Sequence, residues 1–257
     1  MPETSLDPDL RQALARATGV DRLLVCSDYD GTLAPIVTDP DQAYPLPAAL
    51  DMLRQLAALP RTTVALVSGR PREQLAALTS LPPAVLLVGS HGSEYHAAVQ
   101  LTPEQAELHQ RVTTAVDQLV AGLPGVRVEY KPASVAVHTR TASPAIAARA
   151  QQAIAEGPAR WPGVRQLRGK EVVELLVSRS DKGTAVAALR DEHAADAVLF
   201  LGDDVTDEHA FEVLQSGDVG VKVGPGATRA GYRVPDPSGA VQVLALTLRL
   251  RRHATAG

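Results

Sequence analysis

Short apolar runs recur along this chain, each ending in a polar loop that leads into an amphipathic stretch, and this alternation constrains the fold more than any other feature. Leu23 to Ser27 (LLVCS) shows no inside–outside alternation, so it reads as a strand buried on both faces, as in a parallel sheet. Pro47 to Leu59 has apolar residues at helical spacing behind a proline suited to a first helical turn. Thr62 to Val67 is a second strand, Ser68–Gly69–Arg70–Pro71 opens a second helix, and Ala84 to Val88 is a third strand. Strands alternating with helices predict an α/β fold, a Rossmann-like parallel sheet with right-handed crossovers.

The rhythm changes after His91. Thr102 and Gln105 form a capping box around Pro103, and the helix they start is expected to run to about Leu123. Strands follow at Val126 to Tyr130 and Ser134 to Arg140, then a helix from Pro144 to Glu156, then strands at Val164 to Leu167 and Glu171 to Val177. This αββ unit, repeated, predicts an α+β domain over residues 97–177, inserted into a discontinuous core of residues 1–96 and 178–257. The first rhythm then resumes with a helix from Lys182 to Glu192, a strand from Ala197 to Leu201 and a helix through Phe211. Short strands at Val219 to Val223 and Tyr232 to Val234 and a closing helix from Ser238 to Arg251 complete the core.

Composition narrows the function. With 257 residues, 45% hydrophobic and 21% charged, the chain is an ordinary globular protein rather than a disordered or fibrous one. Lys plus Arg total 25 against 29 Asp plus Glu, so no basic surplus exists to neutralise nucleic-acid phosphates. Aromatic residues are only 3%, which leaves an aliphatic core and argues against stacking platforms for bases or sugars. The single cysteine, Cys26, can form neither an internal disulfide nor a thiolate metal site alone. Met1 to Arg22 lacks the apolar centre of a signal peptide, and no run is long enough for a membrane span. These features predict a cytoplasmic protein, a monomer, with no nucleic-acid or membrane partner.

The chemistry lies where strands end. In Asp28–Tyr29–Asp30–Gly31–Thr32 the two aspartates, two apart on extended backbone, face one side, and Gly31 lets the chain turn away. Alone, such a run is a solvated turn. A second acidic group, Gly202–Asp203–Asp204 with Asp207, follows another apolar strand, and ligands of open α/β sheets bind beyond the carboxyl ends of strands. Two carboxylate clusters suit a divalent cation, or a nucleophile paired with an acid. Ser68–Gly69–Arg70 offers a hydroxyl, backbone N–H groups and a guanidinium, a combination suited to phosphoryl oxygens, although Ser68 is an equally good helix cap. Lys182 stands at a helix start, where a cation is disfavoured unless an anion lies close by.

The order DxDGT, SGR, DKG, GDDxxD resembles the haloacid dehalogenase superfamily of aspartate-nucleophile phosphatases. The resemblance implies that Asp28 attacks phosphorus, Asp30 acts as acid and then base, and Ser68 and Lys182 hold the phosphoryl oxygens. It also implies a magnesium ion (Mg2+) held by Asp28, the backbone carbonyl of Asp30, and Asp203, with Asp204 or Asp207 in support. An insert between SGR and DKG is similar to that superfamily's larger caps, which read the leaving group of sugar phosphates and other small metabolites.

Within the insert and at its borders HGSE, KPxSxxxH and GKxVxE, together with GDDVTDEHAF and the closing GVKVGPGATRAGYRVPDP, resemble the trehalose-6-phosphate phosphatase family from about Leu23 to Leu250. By that resemblance Lys131, His138, Lys170 and Glu174 contact the glucose units, while Arg70 and Glu94 lie near the boundary of core and insert. His91 is a further candidate contact. The resemblance implies magnesium-dependent hydrolysis of trehalose 6-phosphate to trehalose and phosphate, through an aspartyl-phosphate, by a free-standing phosphatase. Two alternatives keep part of this picture: another sugar phosphate, such as sucrose 6-phosphate or a glycosyl-phosphoglycerate, and a non-catalytic sensor on the same scaffold.

Overall fold

The structure, a computed structural model, describes residues 6–39, 42–95, 101–169, 171–178 and 180–255. In chain order its elements begin with α1 (Pro8–Thr18), β1 (Leu23–Ser27), α2 (Pro47–Ala57), β2 (Thr62–Val67), α3 (Arg72–Thr79) and β3 (Val85–Val88). Next come α4 (Pro103–Val120), β4 (Arg127–Lys131), β5 (Ser134–His138), α5 (Pro144–Glu156), β6 (Arg165–Gly169) and β7 (Val172–Leu176). The chain closes with α6 (Lys182–His193), β8 (Ala197–Gly202), α7 (Glu208–Glu212), β9 (Val219–Val223), β10 (Tyr232–Val234) and α8 (Pro237–Thr255). The chain divides into two compact units, one of Met1–Gly92 with Asp181–Gly257, the other of Ser93–Ser180.

The first unit is built on a parallel six-stranded sheet of order β10-β9-β8-β1-β2-β3. The apolar runs are its central strands. β1, β8 and β9 are buried at every position because helices cover both faces of a parallel sheet. Leu23, Val25, Leu53, Leu56, Val64, Leu66, Leu199 and Leu201 are among the aliphatic residues that fill the core, with Tyr29 buried beside them. Register decides what the loops can do. Ser27 pairs with Leu201 on one side and Leu66 on the other, so the residues that follow all three strands emerge at one edge of the sheet. The Asp28 N–H donates to the Leu201 carbonyl at 2.8 Å, carrying the pairing one residue past the strand.

Two local details differ from the sequence expectation. Helix α3 begins at Arg72 with Pro71 as its cap, so Ser68 is not an N-cap and Ser68 to Arg70 remain loop. Helix α1 was not anticipated; Asp7 caps it, accepting from Asp9 N–H at 2.7 Å, and Leu10, Ala13, Leu14 and Ala17 form its buried stripe. No helix among the described residues is long and apolar enough to cross a membrane.

The second unit is an antiparallel sheet of order β4-β5-β7-β6. The Thr102–Gln105 capping box forms, and Ser143 caps α5. Val112, Val116 and Ile154 from the helices pack on Val135, Val137, Val173 and Leu175 of the strands. Because side chains alternate across a strand, the opposite face takes the intervening residues: Glu129 and Lys131 of β4, Ser134 and His138 of β5, and Glu174 of β7.

Candidate active site

Three loops of the first unit converge at the carboxyl edge of its sheet. Asp28 follows β1 and is 4% exposed; Asp203 and Asp207 follow β8; Lys182 opens α6 and is 2% exposed. Lys182 Nζ lies 2.8 Å from Asp28 Oδ1 and 2.7 Å from Asp207 Oδ1. These are the anions that a lysine at a helix start requires. Asp181 caps the same helix through a reciprocal box with Thr184. The other oxygen of Asp207, Oδ2, accepts from the N–H groups of Asp203 and Asp204, each at 2.9 Å. Asp207 therefore shapes the acidic loop, and Gly202 is where it must be: a Cβ there would come within 2.3 Å of Asp207 Cγ.

Asp28, Asp203 and Asp207 place ligand oxygens within 4.8 Å of one another. Burial pushes the Asp28 carboxyl well above the usual carboxylate range, and the charges of Asp207 and Asp203 add to this against the pull of Lys182. Burial, then Asp207, pushes Asp203 up to about 7. Burial opposes the charge on Lys182, but Asp207 and Asp28 outweigh it and hold the ammonium protonated. Lys182 thus bonds two of three clustered carboxylates, while Lys222 donates to the backbone carbonyl of Asp203 and not to a carboxylate of the cluster. The surplus of hard oxygen donors is what a divalent ion such as magnesium would balance, so the residues fit one. Gly31, at φ +77°, lets Asp203 approach, since a Cβ at this position would lie 2.0 Å from Asp203 Oδ2.

Asp30 takes no part in this cluster. Its two oxygens accept from Arg70 Nε and Nη2 at 2.6 Å each, and the guanidinium lies 5.4 Å from the centre of the Tyr29 ring. Tyr29 is itself buried and donates to the Ala43 carbonyl at 2.7 Å, making a firm floor. Ser68 is buried, and its Oγ accepts from Arg70 N–H at 3.2 Å. His91, in the left-handed region at φ 55°, supports this turn: its N–H donates to the Ser68 carbonyl at 2.9 Å, and its ring occupies the space a Cβ on Gly69 would need.

The second unit holds the remaining candidates. Lys131 Nζ is 3.2 Å from both oxygens of Glu174, and Ser134 Oγ donates to Glu174 Oε1 at 2.5 Å. His138 Nε2 is 2.8 Å from Glu129 Oε2. Burial alone would raise Glu129, but the His138 hydrogen bond and the Lys131 charge outweigh it and hold the carboxyl below its ordinary range. Glu94 is buried near the start of this unit. Arg140 pairs with Glu171 at 3.2 Å.

The sequence candidates thus fall into separate groups. Asp28, Lys182, Asp203 and Asp207 form one cluster; Asp30, Ser68, Arg70 and His91 form an adjoining bonded set in the same unit; Lys131 and Glu174 pair in the second unit, with His138 bonded to Glu129 on the same sheet face. Asp204 is exposed, and its side chain makes no hydrogen bond among the described residues. Lys170 lies outside the described residues. Glu129 and Ser134 were not singled out from sequence. Ser134 stands inside the KPxSxxxH run, and the even spacing from Glu129 to Lys131 is the signal that could have found the other.

The trehalose-phosphatase family profile matches residues 26–238. The chain is 38% identical over 250 residues to the bifunctional trehalose-6-phosphate synthase/phosphatase of Thermoproteus tenax, covering 93% of this chain and 33% of that protein. It is 36% identical over 251 residues to the trehalose-phosphate phosphatase of Mycobacterium ulcerans, covering 90% of this chain and 63% of the other. The chain therefore spans from a third to just under two thirds of the length of these relatives. Among solved structures, the C-terminal domain of C. albicans trehalose-6-phosphate phosphatase has a TM-score of 0.81 at 24% identity, over 94% of this chain and 97% of that one, a likeness of fold. With its parallel and antiparallel sheets, this is the haloacid dehalogenase fold. From the profile match and the curated relatives together, the chain belongs to the trehalose-phosphatase family.

Proposed function

We propose that the protein is a magnesium-dependent phosphatase that hydrolyses trehalose 6-phosphate to trehalose and phosphate. The observation that carries this reading is the buried Asp28, held by Lys182 among the carboxylates of Asp203 and Asp207, in a chain of this family.

Lys182 bonds Asp28 Oδ1 and so orients the carboxylate. In the first half-reaction an Asp28 oxygen attacks phosphorus while the bond from phosphorus to the sugar oxygen breaks. Asp30 delivers a proton to that oxygen, which leaves as the sugar hydroxyl, and Asp28 carries the phosphoryl group. In the second half, Asp30 as carboxylate takes a proton from water. The water oxygen attacks phosphorus, the bond to Asp28 breaks, and phosphate departs. Arg70 holds Asp30 in a fork that matches the ionised form this second step requires. Ser68 and Lys182 donate to the phosphoryl oxygens. Asp28, Asp203 and the backbone carbonyl of Asp30 would hold magnesium, with Asp204 and Asp207 in support, and the ion would supply charge compensation to the phosphoryl group.

The second unit reads the leaving group. Lys131, Glu174, His138, Lys170 and Glu94 are residue types whose donors and acceptors suit sugar hydroxyls. The same reading places the protein in the cytoplasm, acting as a monomer.

Phosphate release from trehalose 6-phosphate, sucrose 6-phosphate and glucose 6-phosphate, with magnesium and with chelator, tests this directly. Selective, chelator-sensitive release from trehalose 6-phosphate is expected. Release from another sugar alone would keep the chemistry and replace the substrate. Binding without release in adequate magnesium would mean a sensor.

A further inference from the structure

The helix-free face of the second unit's sheet carries a carboxylate whose orientation is set by a hydroxyl. Glu174 lies on β7 with its side chain only 10% exposed, and Lys131 supplies the compensating charge. That ion pair is nearly symmetric, with Nζ 3.2 Å from each oxygen. An ammonium is a point charge on a flexible stem, so a symmetric contact holds the carboxylate without fixing the rotation of its plane. Ser134 breaks the symmetry: its Oγ donates to Oε1 alone, at 2.5 Å.

Ser134 is in turn pinned. It begins β5, opposite Lys131 on one side and Leu176 on the other, and is 3% exposed. Its carbonyl oxygen lies 3.3 Å from His109 Nε2 of α4, which ties the strand start to the helix layer. Serine has one rotatable bond to its hydroxyl, so a fixed backbone gives a fixed donor. Lys131 and Ser134 both approach Glu174 as donors, so the group they hold is an acceptor.

We infer that Ser134 is a positioning residue for leaving-group recognition, aiming Glu174 at a hydroxyl of the sugar. The inference rests on the reading above, in which Glu174 meets the sugar. The hydroxyl never touches phosphorus, so its loss should act on sugar binding and spare the phosphoryl chemistry.

The test uses Ser134→Ala and Ser134→Thr in the full chain at saturating magnesium, with trehalose 6-phosphate beside p-nitrophenyl phosphate, whose leaving group has no sugar hydroxyls. Ser134→Ala should raise KM for trehalose 6-phosphate about tenfold, as for one lost hydrogen bond, with kcat within about twofold. Its kcat/KM on p-nitrophenyl phosphate should not move, and Ser134→Thr should restore KM. An unchanged KM, or an equal loss on both substrates, overturns the inference. Glu174→Gln run alongside separates the two levels: if it raises KM and Ser134→Ala does not, only the role of Ser134 falls. If Glu174→Gln also leaves KM unchanged, the sugar is not read at Glu174 and both readings fall.

Discussion

Arg70 grips Asp30 through both carboxylate oxygens, Nε to Oδ2 and Nη2 to Oδ1, at 2.6 Å each. The guanidinium is braced from below by the Tyr29 ring and is only 8% exposed in its side chain. Sequence alone expected Arg70 to hold substrate; in the structure its fork is spent on a neighbouring acid. These two roles separate kinetically. A group that orients the acid–base residue affects the chemical step, whereas a group that binds substrate equally in ground and transition states affects KM. Arg70→Met should therefore lower kcat by ~10- to 100-fold with KM little changed, the size expected for misplaced catalytic geometry. Steady-state kinetics decide: a raised KM with intact kcat would return Arg70 to the substrate.

The three carboxylates around Lys182 imply an unusual pH response in chelator. Folded Asp203 releases its proton at about 7, against an ordinary value of 3.8, because of burial and then the charge of Asp207. Between those values the folded state binds more protons than the unfolded chain, so stability should fall as pH rises from 4 to 7 and level off above. Asp28, shifted in the same direction, adds to the slope. Each pH unit within the window costs up to ~1.4 kcal/mol per such group. Thermal midpoints in EDTA should decline across this range, and Asp203→Asn should flatten the decline. Magnesium should flatten it as well, by taking the place of the protons. Midpoints that rise with pH in chelator would contradict the charge surplus.

Much of this architecture was legible because a parallel sheet buries its central strands on both faces. LLVCS, TTVALV and AVLFL announce themselves as largely apolar runs; Asp28 follows the first directly and Asp203 follows the third after one glycine. Helix α1 carries its stripe in Leu10, Ala13, Leu14 and Ala17 among polar residues, and that polarity argues against a signal peptide without itself marking a helix. Pairings were less readable. That Arg70 meets Asp30 depends on how the loops after two strands fold over each other, and no periodicity encodes it. Glu174 meeting Ser134 depends on the β5–β7 register, where Ser134 stands opposite Leu176 and reaches diagonally to Glu174.

Gly31 joins backbone strain and the close approach of Asp203 at one position. Its φ of +77° disfavours any side chain, and a Cβ would fall on the Asp203 carboxylate. The carboxylate can swing away, so Gly31→Ala should fold, with a cost of ~1 kcal/mol or somewhat more from the backbone. The displaced Asp203 should then bind magnesium poorly. Calorimetric titration of the protein with magnesium, beside its thermal midpoint, would show a loss of affinity out of proportion to the loss of stability. Wild-type affinity in the alanine variant would remove Asp203 from the proposed magnesium ligands.

Arg251, near the end of α8, is 1% exposed and bonded through all three of its guanidinium nitrogens. Its guanidinium donates to Thr62 Oγ1 at 3.0 Å and to the carbonyls of Thr18 at 3.0 Å, Val20, Asp21 at 2.7 Å and Arg61 at 2.8 Å. It thereby joins the last helix to the end of α1, the lead into β1 and the start of β2. Arg251→Met would keep the apolar stem and strand these acceptors in the core, at a cost of ~3–5 kcal/mol. Lysine cannot replace the planar fork and should recover less than half of the loss. Since none of these contacts lies at the carboxyl edge of the sheet, urea unfolding should move to lower midpoint while the folded fraction keeps its kcat. A midpoint within experimental scatter of wild type would show that water satisfies these carbonyls as well as the arginine does.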